Sequence, residues 1–191
     1  MIVGITGNAR HGKDTIADYM VSRYGFVKRS FAAPIKEACG LIFGWDAEWL
    51  YGRFKETVDP RYGLSPREAM QLLGTEFGQF SLGKLPEFAE VTGRSLWVKR
   101  TLSEIDEPLT VIPDVRFLHE AASLRAHGAR IVKVIRPSVP MHLDHASESE
   151  VPKIEADSII WNDGEREDLY RKIDSIMHVM LDLYRKPEEA A

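Results

Sequence analysis

The sequence has few of the features that mark secreted, membrane-spanning or nucleic-acid-binding proteins. Cys39 is the only cysteine, so no internal disulfide can form, and we expect this thiol to be a small buried side chain rather than a nucleophile. No apolar run approaches the roughly 20 residues that a membrane-spanning helix needs. A net charge of −4 gives no bulk attraction to nucleic acid or to an anionic membrane, and we expect neither as a partner.

The first residues also lack the apolar stretch of a signal peptide, because Arg10 and Lys13 stand where it would lie. We therefore expect a reducing, cytoplasmic location. A length of 191 residues, an ordinary composition and the absence of internal repeats predict a single domain over residues 1–191.

What the sequence does contain is a glycine-rich loop near its start. Residues 7–15 read Gly-Asn-Ala-Arg-His-Gly-Lys-Asp-Thr, which matches the phosphate-binding pattern G-x-x-x-x-G-K. An apolar run that predicts a strand precedes the loop, and a helical pattern over residues 14–24 follows it, as the motif requires. We expect backbone N–H groups and Lys13 to hold nucleotide phosphates. The guanidinium of Arg10 is placed to lie over the donor phosphates or the base.

Asp14 stands where this motif usually has serine or threonine, whose hydroxyl binds Mg²⁺. Two interpretations of Asp14 remain open. Its carboxylate binds the metal itself, with Thr15 nearby, or it faces away and stabilises the first turn of the helix, where an acid contributes about 0.3–1 kcal/mol.

Strand and helix patterns alternate along the rest of the chain, which predicts an α/β fold with a parallel five-stranded sheet flanked by helices. The predicted strands are Ile2–Thr6, Phe26–Phe31, Leu109–Pro113, Arg130–Ile135 and Ser158–Trp161. The predicted helices cover 14–24, 34–43, 65–80, 94–105, 116–127 and about 165–184. Two segments, 44–64 and 137–156, interrupt this alternation. We expect an acceptor-binding insertion within about 34–105 and a lid over about 137–156.

A second candidate group lies at the end of the third strand. Asp114 and Arg116 follow an apolar run, at the edge where parallel sheets bind ligands. Asp114 is a candidate Mg²⁺ ligand, directly or through water, and Arg116 suits a phosphate monoester. Without the phosphate loop, a helix-capping aspartate beside a solvated arginine would be the simpler interpretation.

Three further features are ambiguous in sequence. Arg136 ends the fourth strand and is either a cation that neutralises transition-state charge or a solvated strand-end residue. His142 and His145 have the spacing of two zinc ligands, but no cysteine and no third ligand lies nearby, so we predict no zinc site. Trp97 is either a core residue or a base-stacking one.

Beyond these local motifs, the chain resembles the deoxynucleoside monophosphate kinases of bacteriophages, which belong to the P-loop kinase superfamily. The resemblance extends over most of the chain, in the order Gly7-x4-Gly12-Lys13-Asp14-Thr15, Ala33-Pro34-Ile35-Lys36, Arg67-x-x-Met70-Gln71-x-Leu73-Gly74-Thr75-Glu76, Trp97-Val98-Lys99, Pro113-Asp114-x-Arg116-x-x-His119-Glu120, Val134-Ile135-Arg136-Pro137, His145-x-x-Glu148 and Asn162-Asp163-Gly164. Only the loop is specific by itself; the ordered succession carries the resemblance.

The resemblance implies transfer of the γ-phosphate of ATP to a deoxynucleoside 5′-monophosphate, with Mg²⁺ as cofactor, in the host cytoplasm if the protein is phage-encoded. The ATP-binding residues that it implies are Arg10, Gly12, Lys13, Asp14 and Thr15. The acceptor-binding residues that it implies are Lys36, Arg67, Gly74, Thr75, Trp97, Asp114, Arg116 and Glu120. We take Lys13, Arg116 and Arg136 as catalytic, and Asp14, Thr15 and Asp114 as candidate metal ligands. The segment 44–64 is shorter than in larger members, which leaves the accepted bases open.

Two other functions remain as alternatives. The first is a kinase of another small phosphorylated metabolite, such as dephospho-coenzyme A or phosphomevalonate. The second is a nucleotide-binding switch or assembly protein, although no segment demands the exposed apolar patch of such a protein. ATP and a deoxynucleoside monophosphate are the expected partners, and both a monomer and a homodimer are compatible with the sequence.

Overall fold

The computed structural model describes residues 1–139 and 149–185. In chain order, its strands are β1 (Ile2–Thr6), β2 (Val27–Lys28), β3 (Thr110–Val115), β4 (Arg130–Ile135) and β5 (Ser158–Trp161). Its α-helices are α1 (Lys13–Tyr24), α2 (Ala33–Phe43), α3 (Ala47–Leu50), α4 (Pro66–Gln71), α5 (Pro86–Val91), α6 (Leu96–Leu102), α7 (Leu118–Ala126) and α8 (Arg166–Arg185). A π-helix (Leu72–Ser81) continues α4, and short 3-10 helices cover Leu82–Lys84 and Val151–Lys153.

These elements form two compact units. The sheet unit comprises Met1–Arg29 and the chain from Ile105 onward, and the helical unit comprises Ser30–Glu104. The helical unit nearly coincides with the region 34–105 for which we predict acceptor binding. The single domain expected from chain length stays a prediction.

The sheet unit contains a five-stranded sheet in the order β2-β3-β1-β4-β5. Each neighbouring pair is parallel, so the predicted α/β fold with a parallel five-stranded sheet is confirmed. The central strand β1 is buried from Val3 to Thr6. Side chains from α1 and α8 pack with those of β1 and β4 into one apolar core that includes Ile5, Met20 and Ile173.

Apart from the edge strand β2, the strand predictions hold closely. The strand predicted over Phe26–Phe31 is too long, because only Val27–Lys28 forms a strand. Arg29 still donates its backbone N–H to Val111 O, and Ser30 already belongs to the helical unit. The chain therefore leaves the sheet before Phe31.

The helical unit is built around the buried residues Ile35, Cys39, Trp45, Leu50 and Ala69. Cys39 is fully buried, which confirms the expectation of a small core side chain. Ser65 and Glu68 form a capping box at the start of α4. The chain is helical over nearly all of the helix predicted at 65–80, as α4 up to Gln71 and as a π-helix over residues 72–81. Apolar periodicity does not separate these two windings. The short helix α5 was not predicted.

Within the described residues, no helix is both long and apolar enough to cross a bilayer. The predicted lid, 137–156, lies partly outside the described residues. His142, His145 and Glu148 lie entirely outside them.

Candidate active site

The phosphate loop connects the end of β1 to the start of α1, and its glycines are needed there for steric reasons. Gly7 has φ 148° and Gly12 has φ 99°, a region that side-chain-bearing residues rarely adopt. A Cβ on Gly7 would lie 2.5 Å from Val134 O. Arg10, with φ 64°, is the only non-glycine residue of positive φ in the described part of the chain. Strain of this kind costs about 1–3 kcal/mol and is often found at ligand sites.

Lys13 begins α1 and lies over the loop. Its side chain is buried, and its Nζ donates to the carbonyl oxygen of Asn8 at 2.8 Å. The same oxygen accepts the backbone N–H of His11 at 3.3 Å. The ammonium charge is therefore placed at the loop backbone, where the motif requires a cation for outer phosphates.

The surroundings of Asp14 favour the second interpretation, in which its carboxylate faces away from the phosphate loop and stabilises the first turn of α1. Lys28 Nζ lies 2.8 Å from Asp14 Oδ1 and 3.0 Å from Asp18 Oδ1, and the Asp14 side chain is 78% exposed. Its carboxylate is thus paired on the outer face of the first helical turn. Gly12, the N-cap residue, supplies no side-chain cap, so the helix start presents backbone N–H groups of the kind that bind anions.

A β-bulge near the end of β3 determines the position of Asp114 at the edge of the sheet. Gly4 of β1 pairs with Ile112, but Thr6 pairs with Val115, so Pro113 and Asp114 together oppose one residue of β1. A bulge explains how a proline sits in an internal strand, and bulges turn side chains to new directions. The register brings Asp114 and Arg116 to the sheet edge beside Thr6, from which the phosphate loop starts.

Glu120 organises the turn that carries Arg116. Its Oε2 accepts the backbone N–H groups of Arg116 at 2.7 Å and of Phe117 at 3.0 Å. Burial, assisted by the nearby charge of Asp114, raises the pKa of the Glu120 carboxyl to about 8. The resemblance implies an acceptor-binding glutamate, whereas these bonds give Glu120 a positioning role at the start of α7. They also explain why α7 begins at Leu118, two residues later than predicted.

Arg136 follows β4, the other neighbour of β1. Its side chain is exposed, and its backbone N–H lies 3.3 Å from His11 Nδ1. The parallel strands thus bring Arg136 to the same sheet edge as Arg116.

The helical unit carries the other predicted acceptor residues. Arg67 Nη1 lies 2.7 Å from Glu56 Oε1, and Lys36 Nζ lies 4.1 Å from the centre of the Tyr51 ring. Gly74 and Thr75 are buried within the π-helix. The helix α2 approaches closely there, since a Cβ on Gly74 would lie 2.9 Å from Ile35 Cδ1.

Trp97 packs directly on the π-helix. Its Nε1 donates to Gly74 O at 2.7 Å, and a Cβ on Gly78 would lie 2.5 Å from Nε1. Trp97 thus has a definite packing role, and π-helical segments are frequent at functional sites.

Two residues outside the predicted set also contact the phosphate loop. His11 is buried within it, and Asn162, just after β5, donates from Nδ2 to His11 O at 2.9 Å. His11 lies in the loop motif and Asn162 in one of the motifs that carry the resemblance, but nothing in the sequence indicates that these two residues are in contact.

The sequence is similar to those of viral kinases. A family model described as deoxynucleotide monophosphate kinase matches residues 53–173. A candidate deoxynucleotide monophosphate kinase of Acanthamoeba polyphaga mimivirus is 32% identical over 181 residues, which cover 91% of this chain and 94% of that protein. The deoxynucleotide monophosphate kinase of Enterobacteria phage T4 is 26% identical over 242 aligned positions, 94% of this chain and 99% of the phage protein. That alignment is longer than this chain, as expected if this chain has shorter insertions.

A solved structure supports the fold. TT1252 from Thermus thermophilus superposes with a TM-score of 0.50 at 22% identity, over 93% of this chain and 96% of that one. This likeness concerns the fold alone. Because the family model covers more than half of the chain, and the mimivirus relative exceeds 30% identity over nearly its whole length, this chain belongs to the deoxynucleotide monophosphate kinase family.

Proposed function

We propose that this protein transfers the γ-phosphate of ATP to a deoxynucleoside 5′-monophosphate. The observation that carries the donor half is the phosphate loop itself, with Gly7, Arg10 and Gly12 all at positive φ and Lys13 lying over the loop backbone. Family membership supports the acceptor half, and it favours this reaction over the metabolite kinases and the switch protein left open by the residues.

On the donor side, the loop N–H groups, Lys13 and Arg10 bind the phosphates of ATP. Lys13 neutralises negative charge on the transferred group, which is the main requirement of phosphoryl transfer. Arg136, at the end of β4, is proposed as a second cation for the transition state.

On the acceptor side, the guanidinium of Arg116 binds the monophosphate with two parallel N–H donors. In the helical unit, Lys36, Arg67, Gly74, Thr75 and Trp97 are proposed to bind the deoxynucleoside monophosphate. No general base is required, because the attacking phosphate oxygen is already anionic near neutral pH.

The residues at the loop fit Mg²⁺ in part. Thr15 in the first turn of α1 and Asp114 at the β3 bulge offer the oxygen ligands that Mg²⁺ prefers, while the carboxylate of Asp14 is paired with Lys28. Among the described residues, no group of three histidine, cysteine or acidic residues could hold a metal ion. Mg²⁺ commonly keeps several waters and binds through one or two carboxylates together with substrate phosphates. When bound, Mg²⁺ neutralises charge on the donor phosphates; we propose Thr15 and Asp114 as its protein ligands.

A coupled ADP-release assay with ATP and each common deoxy- and ribonucleoside monophosphate tests the proposal. We expect turnover with at least one deoxynucleoside monophosphate, and loss of that turnover in the Lys13→Ala variant. Turnover with dephospho-coenzyme A or phosphomevalonate, and with no nucleoside monophosphate, would replace this proposal by the metabolite-kinase alternative. ATP hydrolysis that no acceptor stimulates would support the switch alternative.

A further inference from the structure

The phosphate loop is fastened to the ends of two strands by side chains that do not belong to the phosphate-binding pattern. His11 is 5% exposed. Its Nδ1 lies 3.1 Å from Val134 O and 3.3 Å from the backbone N of Arg136. Asn162 holds the same residue from β5, because its Nδ2 donates to His11 O at 2.9 Å.

The contacts of Nδ1 restrict which residue can occupy position 11. Val134 O can only accept a hydrogen bond, and the N–H of Arg136 can only donate one. Nδ1 donates when it carries the ring proton and accepts when it does not, so it satisfies one partner in each tautomer. In the described part of the chain, Nε2 is buried without a hydrogen-bond partner, so the polar contacts of the ring lie at Nδ1. An apolar side chain here would satisfy neither backbone group.

The two glycines of the phosphate-binding pattern, Gly7 and Gly12, lie directly against the groups that bond to His11. A Cβ on Gly7 would lie 2.5 Å from Val134 O, and a Cβ on Gly12 would lie 2.7 Å from Asn162 Nδ2. Asn162 is itself fixed, since its backbone N–H donates to Ile135 O at 2.7 Å. The glycines allow the loop to approach β4 and β5 closely, and His11 and Asn162 provide the hydrogen bonds that hold it there.

The contacts continue from His11 to the phosphate-binding lysine. The backbone N–H of His11 and the ammonium of Lys13 both donate to Asn8 O. A displacement of His11 would therefore shift the carbonyl that orients Lys13. This sequence of bonds runs from the ends of β4 and β5 to the cation at the loop.

We propose that His11 and Asn162 form a loop clamp, a pair of positioning residues that sets the conformation of the phosphate loop and thereby its affinity for nucleotide. Neither residue is assigned a contact with the reacting atoms. The inference rests on the proposed function only in that the loop binds a nucleotide, so it is tested by ADP binding and not by turnover.

Two substitutions at position 11 separate hydrogen bonding from packing. His11→Leu is similar in size to histidine but has no polar atom, while His11→Asn places an amide oxygen or nitrogen near the position of Nδ1. By calorimetry, we expect ADP to bind His11→Leu about tenfold more weakly than the wild type, the effect of losing about one net hydrogen bond. We expect His11→Asn to bind within about threefold of the wild type, because its amide can donate or accept as Nδ1 does. Equal weakening in both variants, or none in His11→Leu, would overturn the inference.

Position 162 provides a second, independent test. Asn162→Asp keeps the shape but turns an oxygen toward His11 O, so it should weaken ADP binding more than Asn162→Ala does. Asp163→Asn is the matched control on the same turn. Asp163 pairs with Lys172, which also donates to Trp161 O at the end of β5, so this variant perturbs the turn but keeps the bond from Asn162 to His11 O. The control should bind ADP as the wild type does. Wild-type affinity in Asn162→Asp, or equal weakening in the control, contradicts the clamp.

The readouts separate a failed clamp from a failed function. If the wild type phosphorylates no deoxynucleoside monophosphate but His11→Leu loses ADP affinity and His11→Asn regains it, the clamp stands and the proposed function falls. If the wild type is an active kinase and His11→Leu binds ADP normally, the clamp alone falls. Circular dichroism and melting temperature identify a variant that has lost its fold, in which case the Asn162 pair decides.

Discussion

The sheet unit and the helical unit hold their candidate residues by different means. In the sheet unit, every such contact involves a backbone group of a strand end or loop: Gly7 lies against Val134 O, and the Glu120 side chain accepts the N–H of Arg116. In the helical unit, side chains fix the site, with the Trp97 ring covering Gly78. Backbone in a sheet cannot move to accept an added atom, whereas side chains repack at moderate cost. We therefore expect sharp responses to small changes in the sheet unit and graded responses in the helical unit.

The largest effect is expected for Lys13→Ala. Removing a cation from the phosphates should lower kcat by about 10³-fold, the size found when charge stabilisation is lost in such sites. Lys13 Nζ donates to Asn8 O within the loop, and the substitution leaves the apolar core of the sheet unit unchanged, so the melting temperature should change little. Steady-state kinetics at saturating ATP measures the effect, and near-normal turnover would remove Lys13 from the site.

Arg116→Ala tests whether the sheet unit also serves the acceptor. Loss of a guanidinium–phosphate contact should lower kcat/KM for the monophosphate by about 10²-fold, with a much smaller change in KM for ATP. Arg130→Ala is a suitable control, because this exposed arginine of β4 pairs with Asp157. Equal changes in the KM for the monophosphate and the KM for ATP would place Arg116 outside the acceptor site. The acceptor would then be bound by residues of the helical unit alone.

Gly7→Ala measures how rigid the backbone-built site is. Positive φ costs alanine about 1–2 kcal/mol, and the contact with Val134 O should add roughly 2 kcal/mol more through overpacking. Gly25→Ala is the matched control, since Gly25 also has positive φ, 75°, but a Cβ there would meet no atom within 4 Å. Urea unfolding gives both free energies. Equal destabilisation of the two variants would mean that the loop moves freely away from β4.

Gly78→Ala is the corresponding test in the helical unit. The added Cβ would meet the Trp97 ring at 2.5–2.7 Å, so the ring must shift and its bond to Gly74 O must weaken. We expect KM for the monophosphate to rise about tenfold, a graded effect typical of repacking, with ADP affinity unchanged. Gly83→Ala, where a Cβ meets nothing within 4 Å, is the control. If ADP affinity also falls, the two units do not divide the substrates in this way.

The same contrast explains what could be predicted from sequence. The phosphate loop, three of the five strands to the residue, and the strand-end positions of Asp114 and Arg116 follow from motif and apolar pattern. Those signals exist because backbone geometry demands particular residues, such as glycine at positive φ. The π-winding of 72–81, the packing of Trp97 on it and the contact of Asn162 with His11 depend on tertiary neighbours, which leave no local pattern. The pairing of Asp14 with Lys28, 14 residues apart, is of this second kind.

The two capping glutamates provide the smallest and most selective test of the comparison. Glu120 in α7 of the sheet unit and Glu68 in α4 of the helical unit are each the third residue of their helix. Each carboxylate accepts the backbone N–H of the residue just before the helix, Phe117 or Ser65. Burial raises the pKa of Glu120 from 4.5 to about 8. Hydrogen bonds from the backbone N–H and hydroxyl of Ser65 lower the pKa of the exposed Glu68 carboxyl.

These shifts predict pH effects of opposite sign. Between about pH 4.5 and 8, folded Glu120 keeps a proton that the unfolded chain releases, so stability falls as pH rises through this window, by up to about 1.4 kcal/mol per pH unit. Glu120→Gln stays neutral and keeps an acceptor for the Arg116 and Phe117 N–H groups, so it should remove this slope and be more stable than the wild type at the alkaline end. Glu68 contributes stability above its unfolded pKa and loses it in acid, so Glu68→Gln should be less stable than the wild type at neutral pH. Urea unfolding across this pH range measures both, and parallel curves for Glu120→Gln and the wild type would show that the Glu120 carboxyl ionises at the same pH in folded and unfolded protein.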